Sequence, residues 1–426
     1  VSEIKRLPGF QDIMPEDRVY WDFIMSTAAD VARRAGFQRI DVPVLESTNL
    51  FARGVGEASD FFIKKEMYTI DEGDGKYITM RPEFTAGLVR AYCQNGMHNL
   101  PQPVKIFTFG PLFRRERQQA GRFRQHTQFD CEILGETDPA ADLEIMMTAM
   151  SLYKAMGYGA LTFQLNSTGC PKCKPIYIKA LKEYLGDHLN QLGPVDQERL
   201  KLNPLRILDS KDPKLDELLA GAPKIIDYLC DDCASHFAEL RSLLDRLGQS
   251  YTINFRLVRG IDYYTKTVFE VWYEGIGAQS ALCGGGRYDG LAEAIGGPST
   301  PGVGFGLGVE RAVLSLKEEK ITPPAVDEPH VFIAHFGGES KATAVELTYQ
   351  LRDAGIGTRL AFARTKRSMK SQMREANKYA IDVALILGED EIAQGVATVR
   401  PMDRNRGDQT QVSLDQLTAW LTDFFS

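Results

Sequence analysis

The chain has 426 residues and a net charge of −7, with 43% hydrophobic and 25% charged residues. That length suits roughly two or three domains, and the acidic balance excludes a protein that holds nucleic acid by bulk charge alone. No apolar run approaches the ~18–20 residues of a membrane span and no basic-then-apolar leader opens the sequence, so no membrane partner is expected and the expected compartment is the cytoplasm.

In chain order, Val19 to Arg34 reads as a helix. Arg39 to Leu45 reads as a strand, and Pro43 within it points to a sheet edge or an interrupted ladder, because proline cannot donate to a ladder. Lys105–Phe109 and Thr127–Leu134 read as strands around a long polar loop. Asp138-Pro139 then opens an apolar helix that runs to Met156 and stops at Gly157: a cap, a first-turn proline and a glycine terminator. From 170 to 250 the texture turns helical and charged, an insertion before strand patterns resume at Tyr251–Arg256 and Thr267–Tyr273. Gly302 to Leu316 passes from a glycine-rich strand into a helix.

Pro323-Pro324 marks a linker, which gives domains of 1–325 and 326–426. Beyond it, strands at 331–336, 357–361, 382–387 and 396–400 alternate with helices at 340–354, 368–379 and 414–425. This pattern predicts a small α/β domain with a largely parallel sheet. Residues 331–426 hold 12 Lys+Arg and 12 Asp+Glu. Seven of those cations (Arg359, Arg364, Lys366, Arg367, Lys370, Arg374 and Lys378) crowd into one stretch, which suits either phosphate binding or a solvated helix face.

The densest chemistry runs from Phe113 to Glu132, with five arginines between two strands. Arginine is always charged and grips phosphate oxygens with a planar fork, so this strand–loop–strand is a candidate nucleotide clamp. Gly302-Val-Gly-Phe-Gly-Leu-Gly-Val-Glu-Arg311 keeps one strand face open for a flat ring or another backbone. It fails as a dinucleotide loop because the spacing breaks at Val309. The chain has no P-loop, so arginines must hold any ATP.

These two segments resemble motifs 2 and 3 of the class II aminoacyl-tRNA synthetases, and the segment around Pro43 resembles motif 1. Leu257-Val-Arg-Gly-Ile-Asp-Tyr-Tyr264 and Ala281-Leu-Cys-Gly-Gly-Gly-Arg-Tyr-Asp-Gly-Leu291 are similar to the signatures of the histidyl-tRNA synthetase family. Arg81-Pro-Glu-Phe-Thr-Ala86 resembles that family's amino-acid loop. The resemblance implies an α+β fold: an antiparallel sheet flanked by helices, a helical insertion and a C-terminal α/β anticodon-binding domain. It implies ATP, L-histidine and cognate tRNA as partners, Mg²⁺ with the ATP, and a homodimer built through motif 1.

The resemblance also implies roles. Arg114 and Arg259 face the α-phosphate from opposite sides and Arg311 meets the γ-phosphate, with Glu116 and Gly308 completing the nucleotide site. Glu83, Thr85 and Gln128 match contacts to the amino and carboxylate groups, and Glu132 and Tyr264 match contacts to the imidazole. Tyr263, Tyr288, Gly284 and Gly285 wall the pocket. Three positions depart from the family pattern: Phe84 for glycine, Gln118 for proline, His126 for an aromatic residue. The family's regulatory paralogue, a second reading, lacks the C-terminal domain and the Arg-Gly-x-Asp-Tyr-Tyr signature, both present here. A third reading, an adenylate-forming ligase on a free small molecule, has no use for that domain.

Of the seven cysteines, Cys93, Cys131 and Cys283 stand singly. Cys170, Cys173, Cys230 and Cys233 form two CxxC pairs with 56 residues between them. Four thiolates have the number and type for tetrahedral structural Zn²⁺, but the separation exceeds a zinc ribbon's. Reduced free thiols and a redox-sensitive disulfide remain alternatives.

Overall fold

The computed structural model describes residues 3–55, 66–115, 123–273, 281–324, 330–336, 338–362 and 367–425. The chain divides into two compact units, Val1–Pro324 and Ala325–Ser426.

The strands of the first unit are β1 (Gln38–Arg39), β2 (Leu45–Ser47), β3 (Tyr68–Gly73), β4 (Lys76–Met80), β5 (Val104–Phe113), β6 (Gln125–Leu134), β7 (Leu161–Gly169), β8 (Tyr251–Ile253), β9 (Thr265–Tyr273), β10 (Ala281–Arg287) and β11 (Gly302–Gly308). One sheet has the order β1-β5-β6-β11-β10-β9-β7-β8, and a smaller one the order β2-β4-β3. In the large sheet only the outermost pairings, β1 with β5 and β7 with β8, are parallel. The rest are antiparallel, as the resemblance implied.

Alternation along the strands gives this sheet two unlike faces. Phe129, Cys131 and Ile133 of β6 and Val303, Phe305 and Leu307 of β11 point into the main core. The apolar stripes of helices Pro15–Arg34, Pro139–Ala155, Asp231–Arg246 and Val309–Glu318 cover that face. Pro139–Ala155 starts where its signals predict: the Asp138 carboxylate accepts from the Ala140 amide at 2.8 Å, capping the helix. The first helix begins at Pro15, earlier than its apolar pattern indicates, because Pro15, Glu16 and Asp17 suit a first turn.

The strand expected over Arg39–Leu45 is interrupted, one of the two outcomes that Pro43 pointed to. β1 ends at Arg39, β2 begins at Leu45, and Pro43 lies between them. The carbonyls in the break go instead to Arg81, whose Nη1 donates to Val42 O at 2.5 Å and Pro43 O at 3.3 Å. The insertion is helical, with Cys173–Asp187, Pro194–Leu202, Leu205–Leu208, Asp216–Ala220 and Asp231–Arg246. It has a small core of its own around Tyr177, Leu181, Ile207, Leu219 and Ile225.

The second unit adds β12 (Val331–His335), β13 (Thr358–Leu360), β14 (Val383–Leu387), β15 (Val396–Pro401) and β16 (Thr410–Ser413), in the order β13-β12-β14-β15-β16. β12 pairs parallel with β13 and β14, while the pairings of β15 with β14 and β16 are antiparallel. The sheet is therefore mixed, not largely parallel. The link from β15 to β16 is too short for a parallel crossover.

Candidate active site

The second face of the large sheet is nearly stripped of side chains where β10 and β11 cross it. Gly302, Gly304, Gly306 and Gly308 alternate along β11, opposite Leu134, Glu132, Asp130 and Gln128 of β6. The space that side chains would fill is taken by neighbours: the Tyr288 ring at Gly302, the Glu132 carboxylate at Gly304 and the Gln128 amide at Gly306. At Gly308 that space is open. On β10, Gly284 leaves room for the Arg259 guanidinium. Gly285 points the other way, and its missing side chain lets the β11 backbone close up. The glycines thus form a floor on which a few long polar side chains lie flat.

Three acids are buried at this floor: Glu83, Asp130 and Glu132. Glu132 accepts the Thr85 hydroxyl at 2.7 Å and the Tyr288 hydroxyl at 2.5 Å, one on each oxygen. Glu83 accepts the Ala86 amide at 3.0 Å. Its other oxygen, and Asp130 Oδ1, are buried without a hydrogen-bond partner among the described residues. Burial raises Glu132 well above the carboxylate range, and the nearby Asp130 adds to this. Glu83 is raised mainly by burial, with Arg114 among the opposing influences. Burial pushes Asp130 up to about 8; a Gln128 hydrogen bond opposes this, and the charge of Glu83 adds to it. Orphaned buried oxygens are costly, and three acids in one pocket fit a ligand that brings positive charge and N–H donors.

Cations stand on either side. Arg114 ends the β5 side of the hairpin, its Nε donating to Pro82 O at 2.8 Å. Arg259 lies over Gly284 with Nη1 3.1 Å from Glu270 Oε1, and Trp272 holds the other Glu270 oxygen at 2.9 Å. Burial works against the charge of Arg259, but Tyr264 and Glu270 outweigh it and raise its pKa. Tyr263 packs on Tyr264 and Tyr288 at ring centroid distances of 4.8 and 5.6 Å. Arg311 stands half-buried in the first turn of Val309–Glu318. Burial drives the Tyr153 hydroxyl well up, and the charge of Arg311 opposes that rise. Glu116 and Gln118 lie outside the described residues.

The other departures are accommodated. Phe84 turns into the core, fully buried, with the Arg81 guanidinium 4.4 Å over its ring. It therefore leaves the Glu83 turn free. Burial, and then the charge of Arg114, drop His126 to about 3, so it is neutral beside that arginine. Cys283 is an inert thiol, pushed by burial up to about 12. Arg287, within the glycine signature, points to the core face and holds Asp142 from Nε at 3.0 Å. His236 reaches the same carboxylate at 3.3 Å.

Sequence reasoning missed Asp130 and Glu310. Asp130 is readable in hindsight, since Gln128, Asp130 and Glu132 share one strand face by alternation. Glu310 precedes Arg311. It accepts the Thr127 amide at 2.7 Å, and its other oxygen is buried and unpartnered among the described residues.

In the insertion, the sulfurs of Cys170, Cys173, Cys230 and Cys233 all lie within 4.8 Å of one another. Cys170 is 3.5 Å from Cys173 and 3.8 Å from Cys230, and none is in a disulfide. A tetrahedron with Zn–S bonds of ~2.3 Å has edges of ~3.8 Å. The Cys230 amide points at Cys173 Sγ at 3.1 Å, and that of Lys172 at Cys170 Sγ at 3.4 Å.

An antiparallel sheet with arginines and acids over a glycine floor, and no P-loop, is the core of a class II aminoacyl-tRNA synthetase. Comparison with known proteins narrows this. The histidyl-tRNA synthetase family model matches residues 9–172 and 178–312, and the anticodon binding domain model matches residues 330–424. The histidine–tRNA ligase of Dehalococcoides mccartyi is 44% identical over 409 residues, 96% of this chain and 97% of that one. That of Desulforamulus reducens is 45% identical over 413 residues, 97% of each. The apo histidyl-tRNA synthetase structure from S. aureus superposes with a TM-score of 0.80 at 32% identity, covering 98% of this chain and 99% of that one. The chain belongs to the histidyl-tRNA synthetase family. A Bacillus halodurans structure titled as an ATP phosphoribosyltransferase regulatory subunit/histidyl-tRNA synthetase shares the fold, with a TM-score of 0.64, 20% identity and coverage of 91% and 99%. Fold alone therefore does not separate ligase from regulator.

Proposed function

We propose that the glycine floor binds L-histidine and ATP side by side and joins them. The reaction is ATP-dependent ligation of L-histidine to its cognate tRNA through a histidyl-adenylate, with release of AMP and pyrophosphate. The observation that carries the residue-level reading is the three buried acids beside Arg114 and Arg259 on a face cleared by glycine.

A histidine carboxylate oxygen attacks the α-phosphorus, and the bond to pyrophosphate breaks. Charge grows on the phosphoryl oxygens and the leaving group. Fixed cations in a pocket that excludes water lower that barrier without reorganising. Arg114 and Arg259 supply them at the α-phosphate, and Arg311 meets the γ-phosphate, with Glu116 and Gly308 beside the nucleotide. Glu83, Thr85 and Gln128 take the α-amino and carboxylate groups. Glu132 and Tyr264 take the imidazole, whose nitrogens need hydrogen-bond partners. Tyr263, Tyr288, Gly284 and Gly285 shape the wall. Glu310, with its unpartnered oxygen, would hold the Mg²⁺ that comes with ATP, and that ion would offset phosphate charge. Cys170, Cys173, Cys230 and Cys233 are read as a structural Zn²⁺ site, supported by sulfur spacings near a tetrahedral edge.

The domain assignment follows: residues 1–325 carry catalysis and residues 326–426 read tRNA. In support, Lys370, Arg374 and Lys378 of one helix are exposed, as are the rings of Phe362 and Tyr379, and Arg359 lies 3.9 Å over the Tyr379 ring. Cations interleaved with aromatics suit single-stranded RNA. Arg364 and Lys366 lie outside the described residues. A homodimer is supported by Val44, Leu45, Ile70 and Tyr77, apolar side chains left exposed on and beside the small sheet. The proposed compartment is the cytoplasm, where ATP and tRNA meet; no helix among the described residues is long and apolar enough to cross a membrane.

The test is ATP–pyrophosphate exchange with each amino acid in turn, then aminoacylation of total tRNA. Exchange that depends on histidine alone is expected. Exchange without that dependence sinks the specificity, and no exchange at all favours the regulator.

A further inference from the structure

The segment 258–264 carries Arg259, Tyr263 and Tyr264, yet it belongs to no helix or strand. Its ends are tied to the large sheet. Asn166 of β7 donates to Leu257 O at 3.1 Å, and Thr168 donates to Tyr264 O at 3.1 Å. Tyr263 and Tyr264 line a cleft of about 520 Å³, together with Cys170, Pro171 and Lys174. Solid packing therefore does not back the loop there.

The insertion holds its middle. Arg206 donates to Gly260 O at 2.6 Å, Lys174 to Asp262 O at 3.3 Å and Asn203 to the Asp262 carboxylate at 3.3 Å. Val258 packs against the insertion's apolar cluster. The donors are only as well placed as the insertion that bears them. That module has a small core, and modules of this size commonly need a staple. The four thiols sit where a staple works. One CxxC pair leads into helix Cys173–Asp187 and the other into helix Asp231–Arg246, so a metal there joins the two ends of the insertion. Lys174 follows Cys173 directly, and anionic thiolates at two helix N-termini are favourably placed.

We propose that metal held by the four cysteines is a clamp on the active site: it fixes the insertion face from which Lys174, Asn203 and Arg206 position the Arg259–Tyr264 loop. This rests on the structural-metal reading above. Lys174, Asn203 and Arg206 are positioning residues, acting on catalysis through the loop: Lys174 and Arg206 through its backbone, Asn203 through the Asp262 side chain. Empty of metal, the insertion holds the loop poorly, and histidine activation slows before ATP binding is lost.

The test uses the full chain loaded with Co²⁺, whose thiolate charge-transfer bands report occupancy, then stripped with a chelator and reloaded with Zn²⁺. Stripping is expected to lower kcat/KM for histidine in pyrophosphate exchange by ~10- to 100-fold with little change in KM for ATP, and reloading is expected to restore it. In a second arm, zinc-replete Arg206→Ala loses kcat with zinc retained, and Arg206→Lys recovers part of it. If the stripped chain unfolds, this arm decides alone. The clamp is overturned if the cobalt bands vanish while exchange is unchanged, or if Arg206→Ala exchanges like the parent. If no thiolate bands form and no zinc copurifies, the metal reading itself fails, a pattern distinct from a clamp that binds metal and controls nothing.

Discussion

The two larger sheets of this protein bury opposite things. The large sheet of the first unit hides Glu83, Asp130 and Glu132 at 3%, 2% and 1% exposure and clears space around them with glycine. In the second unit, every residue of β12 and β14 is buried, and all but His335 are apolar. A sheet covered on both faces reads as unbroken apolar runs and has no room for a polar ligand. The first sheet is therefore the place for chemistry. The second is a scaffold whose work must lie on its outer helices and loops.

This contrast can be broken by perturbing each side and asking what fails. The largest effect is expected from Arg259→His. Removing one fixed cation from the α-phosphate should slow histidine-dependent exchange by ~10²–10³-fold and leave ATP binding by equilibrium dialysis nearly intact. If exchange survives, Arg259 is not the catalytic cation. Leu385→Ala, at a fully buried β14 position, should do the reverse. A cavity there costs about 2–5 kcal/mol, read as a lower calorimetric Tm for the second unit, with exchange unchanged. A loss of exchange equal to the loss of charging would mean the two sheets do not divide the work.

A smaller effect separates the acids. Asp130 sits at about 8, so it is largely protonated at neutral pH in the empty site. A ligand bringing positive charge favours its ionised form. Histidine affinity should then rise with pH, by roughly fivefold between pH 7 and 8, and level off above. Calorimetry in buffers of different ionisation enthalpy should register proton release, and Asp130→Asn should remove it. Proton uptake would contradict the assignment. The smallest change is expected from Lys370→Ala and Arg374→Ala. Exchange should be unaffected, while tRNA binding weakens and its salt slope falls by about one per cation removed.

Much of the architecture was legible where signals are local. Asp138, Pro139 and Gly157 mark the helix that carries Asp142, and alternation in the last hundred residues gave four strands and three helices of the second unit but missed the strand Thr410–Ser413 and the short helix Glu389–Gln394. What escaped were long-range choices. Nothing local says that β11 lies between β6 and β10, or that β14 and β15 run antiparallel. The strand through Pro43 broke because Arg81, 38 residues away, satisfies its carbonyls. At the site, the motifs singled out Arg114, Arg259, Arg311 and the residues proposed to face histidine. Asp130 was missed because one acid on a strand has no significance until the opposing glycines are known. The cysteines gave ligand type and number, but closure across the insertion required the fold.

The most direct test of the account is a crystal structure of the full chain with a non-reactive histidyl-adenylate analogue. The account predicts the imidazole within hydrogen-bond reach of Glu132, the α-amino group beside Glu83, and the phosphate between Arg114 and Arg259. An analogue seated instead in the cleft that Tyr263 and Tyr264 line with Cys170, Pro171 and Lys174, with the glycine floor empty, would contradict it.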